Sequence, residues 1–233
     1  MASSLIERAI RTGGIAGVLE GLSPQARCDL LYDWRCWARP DQLPPSGKWL
    51  TWLVQAGRGY GKSRTGAEWV RSRVETQGAK RIALVGRTPA DVRDTMVEGE
   101  SGILACCPES TRPVYESSKR RLTWPNGAMA LTFTSYEPDQ LRGPQFDSIW
   151  WDELAAFKYL RETWLNGQLT LRLSSDPRQV VTTTPRPVGL LKEIAAAPST
   201  HITRGTTYDN LVNLAPVFRE QVLARYANTT RGR

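Results

Sequence analysis

Histidine is almost missing from this chain: His201 is the single example, and no ligand cluster gathers around it. Cysteine is scarce as well. Cys28 and Cys36 flank an expected helix and Cys106 and Cys107 are adjacent, so neither pair has zinc spacing, and buried or incidental thiols of a reducing compartment are the better account. No apolar run approaches the ~20 residues of a membrane helix, and the N-terminus lacks the apolar core of a signal peptide. An intracellular protein is therefore expected. Internal repeats and low-complexity tracts are also lacking, which leaves one large α/β domain with a well-buried core as the natural use of 233 residues, with room for a short appendage.

What the chain does have is positive charge and a glycine-rich turn. The formal net charge is +8, which fits a polyanionic partner but also describes many proteins that never touch nucleic acid. The turn is Ala56-Gly57-Arg58-Gly59-Tyr60-Gly61-Lys62-Ser63. An apolar stretch over 49–55 precedes it as a buried strand, and residues 65–76 follow with Ala67, Val70 and Val74 at helical spacing. Strand, glycine turn and helix in that order make a phosphate-binding loop, in which backbone N–H groups close on phosphate oxygens because no side chain intervenes. Lys62 is expected to reach the β- and γ-phosphates of ATP, the Ser63 hydroxyl to ligate Mg²⁺, and the helix N-terminus to add its dipole. Position 56 carries alanine where the strict pattern has glycine, the least obstructive replacement.

Upstream, a loose helix over 2–20 and a helix over 26–37 opening at Ser23-Pro24 lead into the proline-rich loop 41–47. Gln42 in that loop can pair its amide with the adenine edge, or be a solvated loop residue. Downstream, 81–86 reads as a second strand and 90–97 as a helix, an alternation that favours a parallel sheet covered by helices. Residues 120–124 and 128–135 then read as a hairpin across Pro125-Asn126-Gly127. The Lys119-Arg120-Arg121 run at its start can contact DNA phosphates or be a solvated face. Residues 148–151 form a short apolar strand ending in Asp152-Glu153, expected to lie beside the first strand. Adjacent acids there are costly unless they serve chemistry or a metal: Asp152 to hold Mg²⁺ and Glu153 to deprotonate the attacking water, against the alternative of a helix start with acids on its dipole. A further strand over 179–184 brings Thr182, Thr183 and Thr184 to the carboxyl end of the sheet, where hydroxyls can sense the γ-phosphate through Glu153, although threonine is also simply a good strand former. A helix over 189–197, a strand over 201–206, a helix over 216–227 and a basic tail complete the pattern.

Several segments in this order resemble the large subunit of tailed-bacteriophage terminases, over most of the chain: Trp37 to Pro44, the phosphate loop with Arg58, Leu141-Arg142-Gly143-Pro144-Gln145, Trp151-Asp152-Glu153-Leu154, Thr182 to Pro187, and Thr207-Tyr208-Asp209-Asn210 with Leu214-Ala215-Pro216. The resemblance implies a P-loop NTPase of the ASCE/RecA-like class, with a mostly parallel central sheet flanked by helices and an antiparallel hairpin added. It implies adenine contact by Gln42 and ATP–DNA coupling by Thr182 to Thr184. Two arginines compete for the catalytic finger, Arg58 in cis and Arg142 reaching into a neighbouring subunit.

The activity implied is ATP hydrolysis driving double-stranded DNA into a procapsid. The partners implied are DNA, a portal protein, a small terminase subunit and other copies of the chain in a ring of five, with a monomer possible in isolation and no membrane. The setting implied is the host cytoplasm, transiently at the portal. The expected division is 1–48 as helical lead-in and adenine loop, 49–227 as ATPase core, and 228–233 as the start of a linker. Family members continue into a nuclease domain, so no nuclease activity is expected from these residues. A helicase-like translocase and a nucleotide-dependent assembly module are the competing readings.

Overall fold

A computed structural model of the protein describes residues 20–218 and Glu220. The helix expected over 2–20, all but the start of the one over 216–227, and the tail 228–233 lie outside these residues. Within them, one sheet has the order β3-β4-β5-β2-β6-β7-β1-β8. The strands are β1 (Thr51–Ala56), β2 (Arg81–Gly86), β3 (Val114–Glu116), β4 (Arg121–Thr123), β5 (Met129–Thr134), β6 (Ser148–Asp152), β7 (Arg178–Thr183) and β8 (Thr200–Gly205). Pairing is parallel from β5 through β8 and antiparallel only at β3–β4 and β4–β5, so the expected hairpin exists and gains β3 as an outer strand.

Main helices are α1 (Pro24–Tyr32), α2 (Lys62–Glu75), α3 (Leu160–Thr170) and α4 (Gly189–Ala196). The upstream helix is shorter than its periodicity suggests. Asp33 leaves helical geometry, its carboxylate accepts from the Arg35 N–H, and a separate turn, Trp34–Trp37, begins. The helix expected over 90–97 is a single turn, Pro89–Asp91, that widens into a π-helix over Val92–Val97, burying Val92, Met96 and Val97 together.

Strand residues alternate between two cores because the sheet is covered on both sides. Trp52, Val54, Ile82, Leu84, Trp150 and Val180 pack under α2 on one face. Leu53, Ala83, Val85, Ile149, Trp151 and Val181 meet Trp164 of α3 and Leu190, Leu191 and Ile194 of α4 on the other. The adjacent tryptophans of β6 thus serve opposite cores, and each is met by a helix glycine. A side chain on Gly66 would start 2.2 Å from the Trp150 ring, and one on Gly167 would start 2.1 Å from Trp151. Small residues there let α2 and α3 come close enough to exclude water from both indoles.

One expectation is corrected. The acidic strand β6 does not lie beside β1: β7 is inserted between them, pairing Trp52 with Val180 on one side and Asp152 with Thr182 on the other. Strand order is set by crossover connections, which leave no local pattern in the strands themselves. The consequence is functional, since the threonine strand separates the phosphate loop from the acids.

Candidate nucleotide site

The carboxyl ends of β1, β7 and β6 converge on one edge, where crevices of open α/β sheets bind ligands. From β1 the chain enters the glycine turn, with Gly59 at φ 76° and Gly61 at φ 99°, conformations a side chain rarely adopts. α2 starts at Lys62, three residues earlier than the apolar spacing indicates, so the N–H groups of its first turn, including that of Ser63, lie at the loop. Lys62 is nearly buried. Its ammonium donates to the carbonyls of Ala56 and Gly57 at 3.1 Å each and stands 3.5 Å from Glu153 Oε1.

Around the turn, two segments lock its shape. Arg39 donates to the Tyr60 carbonyl at 2.8 Å and to Asn210 Oδ1 at 3.1 Å, while Asn210 donates to the Gly59 carbonyl at 2.6 Å. The guanidinium also lies over the buried Tyr60 ring, whose hydroxyl donates to Asp41 at 2.5 Å. Burial and that carboxylate push the Tyr60 hydroxyl well above its usual range. Tyr60 is therefore a prop for the loop, and the segments around Arg39 and Asn210, to which the sequence alone assigns no role at the loop, hold it. Gln42 is buried against the start of α2, donating from Nε2 to Thr65 Oγ1 and accepting from the Arg39 N–H, both at 3.2 Å. It is not a solvated loop residue. A cleft of about 590 Å³ lies on the other side of its loop, walled by Pro40, Leu43, Pro44, His201 and Arg204 among others, and Gln42 is not part of that wall.

The two threonines at the end of β7 and Thr184 just past it hold the acidic segment. Thr182 accepts from the Trp150 indole at 2.8 Å and donates to Asp152 Oδ1 at 2.7 Å. Thr183 accepts from the Ala155 N–H at 3.1 Å. Thr184 donates to Glu153 through its hydroxyl at 3.0 Å and its N–H at 3.3 Å. Asp152 is buried, and burial pushes its carboxyl up to about 6 despite the Thr182 hydrogen bond. Glu153 is just past the strand at φ 52° and opens a 3₁₀ turn, Leu154–Ala156, too short to supply a helix dipole.

The two candidate arginines are unlike each other. Arg58 is exposed and has no hydrogen bond or ion pair among the described residues. Arg142 is also exposed, at 70%, and is turned onto Asp139 at 3.0 Å and Asn166 at 3.4 Å. The basic run is internally compensated: Lys119 and Arg121 share Glu116 at 2.5 and 2.6 Å, and Arg120 faces Glu137 at 3.8 Å.

Residues 53–233 match the family described as terminase large subunit, T4likevirus-type, N-terminal. The chain belongs to this family. No curated protein matches it. Among solved structures it is similar to the large terminase ATPase domain of Thermus phage P74-26, with a TM-score of 0.60 at 15% identity over 79% of this chain and 85% of that one. It is also similar to the large terminase of a thermophilic bacteriophage in complex with ADP, with a TM-score of 0.59 at 16% identity over 84% of this chain. The same terminase in complex with ATP-γ-S gives a TM-score of 0.58. The chain spans about half the length of that second terminase, 48%. At these identities the likeness is one of fold, and that fold is the P-loop NTPase architecture expected from the sequence.

Proposed function

We propose that this chain binds and hydrolyses ATP as the motor domain of a terminase, and that the hydrolysis drives double-stranded DNA into a procapsid. One observation carries the reading: β7 stands between the phosphate loop and the acids, and Thr182 within it and Thr184 just past it tie both acids, while Lys62 meets Glu153 at 3.5 Å. The glycine turn fits polyphosphate by its positive-φ geometry. A buried Asp152, costly to ionise without a cation, with the Ser63 hydroxyl at the loop, fits Mg²⁺, which takes few protein ligands and completes its shell with water and phosphate. Bound there, Mg²⁺ would neutralise developing phosphate charge. The chain's own part is as follows. Gly57 to Ser63 cradle the phosphates, and Lys62 exchanges its carbonyl partners for phosphate oxygens. Glu153, thereby released from Lys62 but still held by Thr184, takes the proton of the attacking water. Gln42 contacts adenine after giving up Thr65. Arg58, in cis, or Arg142, from a neighbour in a ring, stabilises the transferred phosphoryl group, an effect worth ~10³ to 10⁵ when supplied by a finger. Portal and small-subunit partners and a five-membered ring belong to the same reading.

Glu153→Gln tests the enzyme role. Phosphate release should fall by ~10² or more with the affinity for a fluorescent ATP analogue kept. Unchanged release would remove Glu153 from the mechanism, and a wild-type chain that binds ATP without releasing phosphate would be an assembly switch.

A further inference from the structure

The basic run 119–121 is neutralised by Glu116 and Glu137, Arg142 by Asp139, and Arg161 by Glu193. Lys158 differs. Among the described residues it has no carboxylate partner, and its ammonium lies over two tyrosine rings, 4.9 Å from the centre of Tyr136 and 5.0 Å from that of Tyr159. Both rings are large exposed aromatics, at 48% and 42%. The cluster is built, because Ser135, fully buried, joins its strands: the Ser135 hydroxyl donates to the Arg87 carbonyl at 3.0 Å and accepts from the Lys158 N–H at 3.2 Å. Arg87, brought to the same edge, is already paired with Asp91 at 2.8 Å, so the free charge is that of Lys158.

The cluster stands at the end of a short connection from Glu153. That residue opens the turn at φ 52°, Ala155 is fixed to Thr183, and buried Phe157 packs on Trp151 before the chain emerges at Lys158. We propose that Lys158, Tyr136 and Tyr159 form a contact for the phosphate backbone of duplex DNA, joined to the nucleotide site by the turn 153–158. An uncompensated ammonium held over two exposed tyrosines, each with a hydroxyl able to donate, is phosphate-binding chemistry. One face of each ring is taken by the ammonium, which argues against a stacking platform for unpaired bases. The turn gives the contact a function, since a shift of Glu153 between Lys62 and a γ-phosphate is passed to Lys158 through the four residues 154–157, pinned at Thr183 and Trp151.

This inference rests on the motor reading above, and its test separates the two. The measurement is fluorescence anisotropy of a labelled mixed-sequence duplex with the full chain, titrated in rising KCl with ATP-γ-S present, and with fluorescent ADP binding as the check on folding. Lys158→Ala should reduce the slope of log affinity against log salt by ~0.9, the loss of one phosphate contact, and Tyr136→Ala with Tyr159→Ala should weaken binding further while the two Phe variants fall between. Lys119→Ala should leave the slope unchanged. A Lys158→Ala slope equal to wild type, with duplex still bound, overturns the contact and leaves the motor reading standing. Tighter binding of single strands that is lost with the tyrosines overturns duplex recognition here. A wild-type chain that binds no duplex at any salt overturns both.

Discussion

At the scale of single residues, the site is organised by hydroxyls placed on carboxylates. Asp152 shows what this costs. Its folded pKa, about 6, lies above the ordinary 3.8, so the folded chain holds the proton more tightly than the unfolded one. Stability from this group is therefore fully present below about 4 and is lost as pH rises through about 6, amounting to ~3 kcal/mol at pH 8. Asp152→Asn keeps an acceptor for Thr182 and removes the charge. In buffer without nucleotide or divalent cation it should raise the melting temperature at pH 8 by about 6–12 °C and leave it unchanged at pH 4; a loss at both pH values would contradict the assignment. Lys62, Ser63, Asp152 and Glu153 were legible as residue types in a pattern. Arg39 and Asn210 were legible only as members of segments that carry the resemblance; their work, satisfying backbone carbonyls of the turn and each other, was not, because no residue pattern records it. The direction of Gln42 was also hidden, since an amide in a proline-rich loop gives no sign that it will be buried against Thr65.

Whole elements were legible where burial follows spacing. β2 falls on residues 81–86 as its apolar run indicates, and α4 and β8 lie within a residue of expectation. α3 escaped because its pattern is inverted: Leu165 and Leu169 are exposed, while its buried face uses Thr163, Asn166, Gly167 and Thr170 beside Trp164. Polar and small residues are buried there because Trp151 fills the space a large side chain would need, and Asn166 donates to the Pro138 carbonyl. The same principle gives a prediction for α2. Gly66→Ala places a methyl 2.2 Å from the Trp150 ring, so helix or indole must shift. The overpacking should cost ~1–3 kcal/mol, read as a lower urea midpoint. Because Trp150 donates to Thr182, any displacement also loosens the Asp152 hydrogen bond, and nucleotide turnover should fall with it. A variant with wild-type midpoint and turnover would contradict the close approach.

At the scale of the whole molecule, the sheet is a frame that gathers four strand ends on one edge: β1 with the phosphate loop, β7 with the threonines, β6 with the acids, and β5 with Tyr136. Sequence alone gave the first three a common purpose, through order along the chain. It could not give their order in space, which is what puts Thr182 and Thr184 between the glycine turn and the acids. The arginines divide on the same scale. Arg58 stands in the loop itself, whereas Arg142 is held on Asp139 and Asn166 beside α3 and has to leave them to serve a site on another chain. The most direct measurement is therefore phosphate release from ATP per chain, followed against protein concentration with Mg²⁺ and duplex DNA present. The account predicts release that depends on Lys62 and Glu153, climbing with concentration where Arg142 of one copy completes the site of the next and flat where Arg58 serves its own site; ATP bound with no release at any concentration would contradict it.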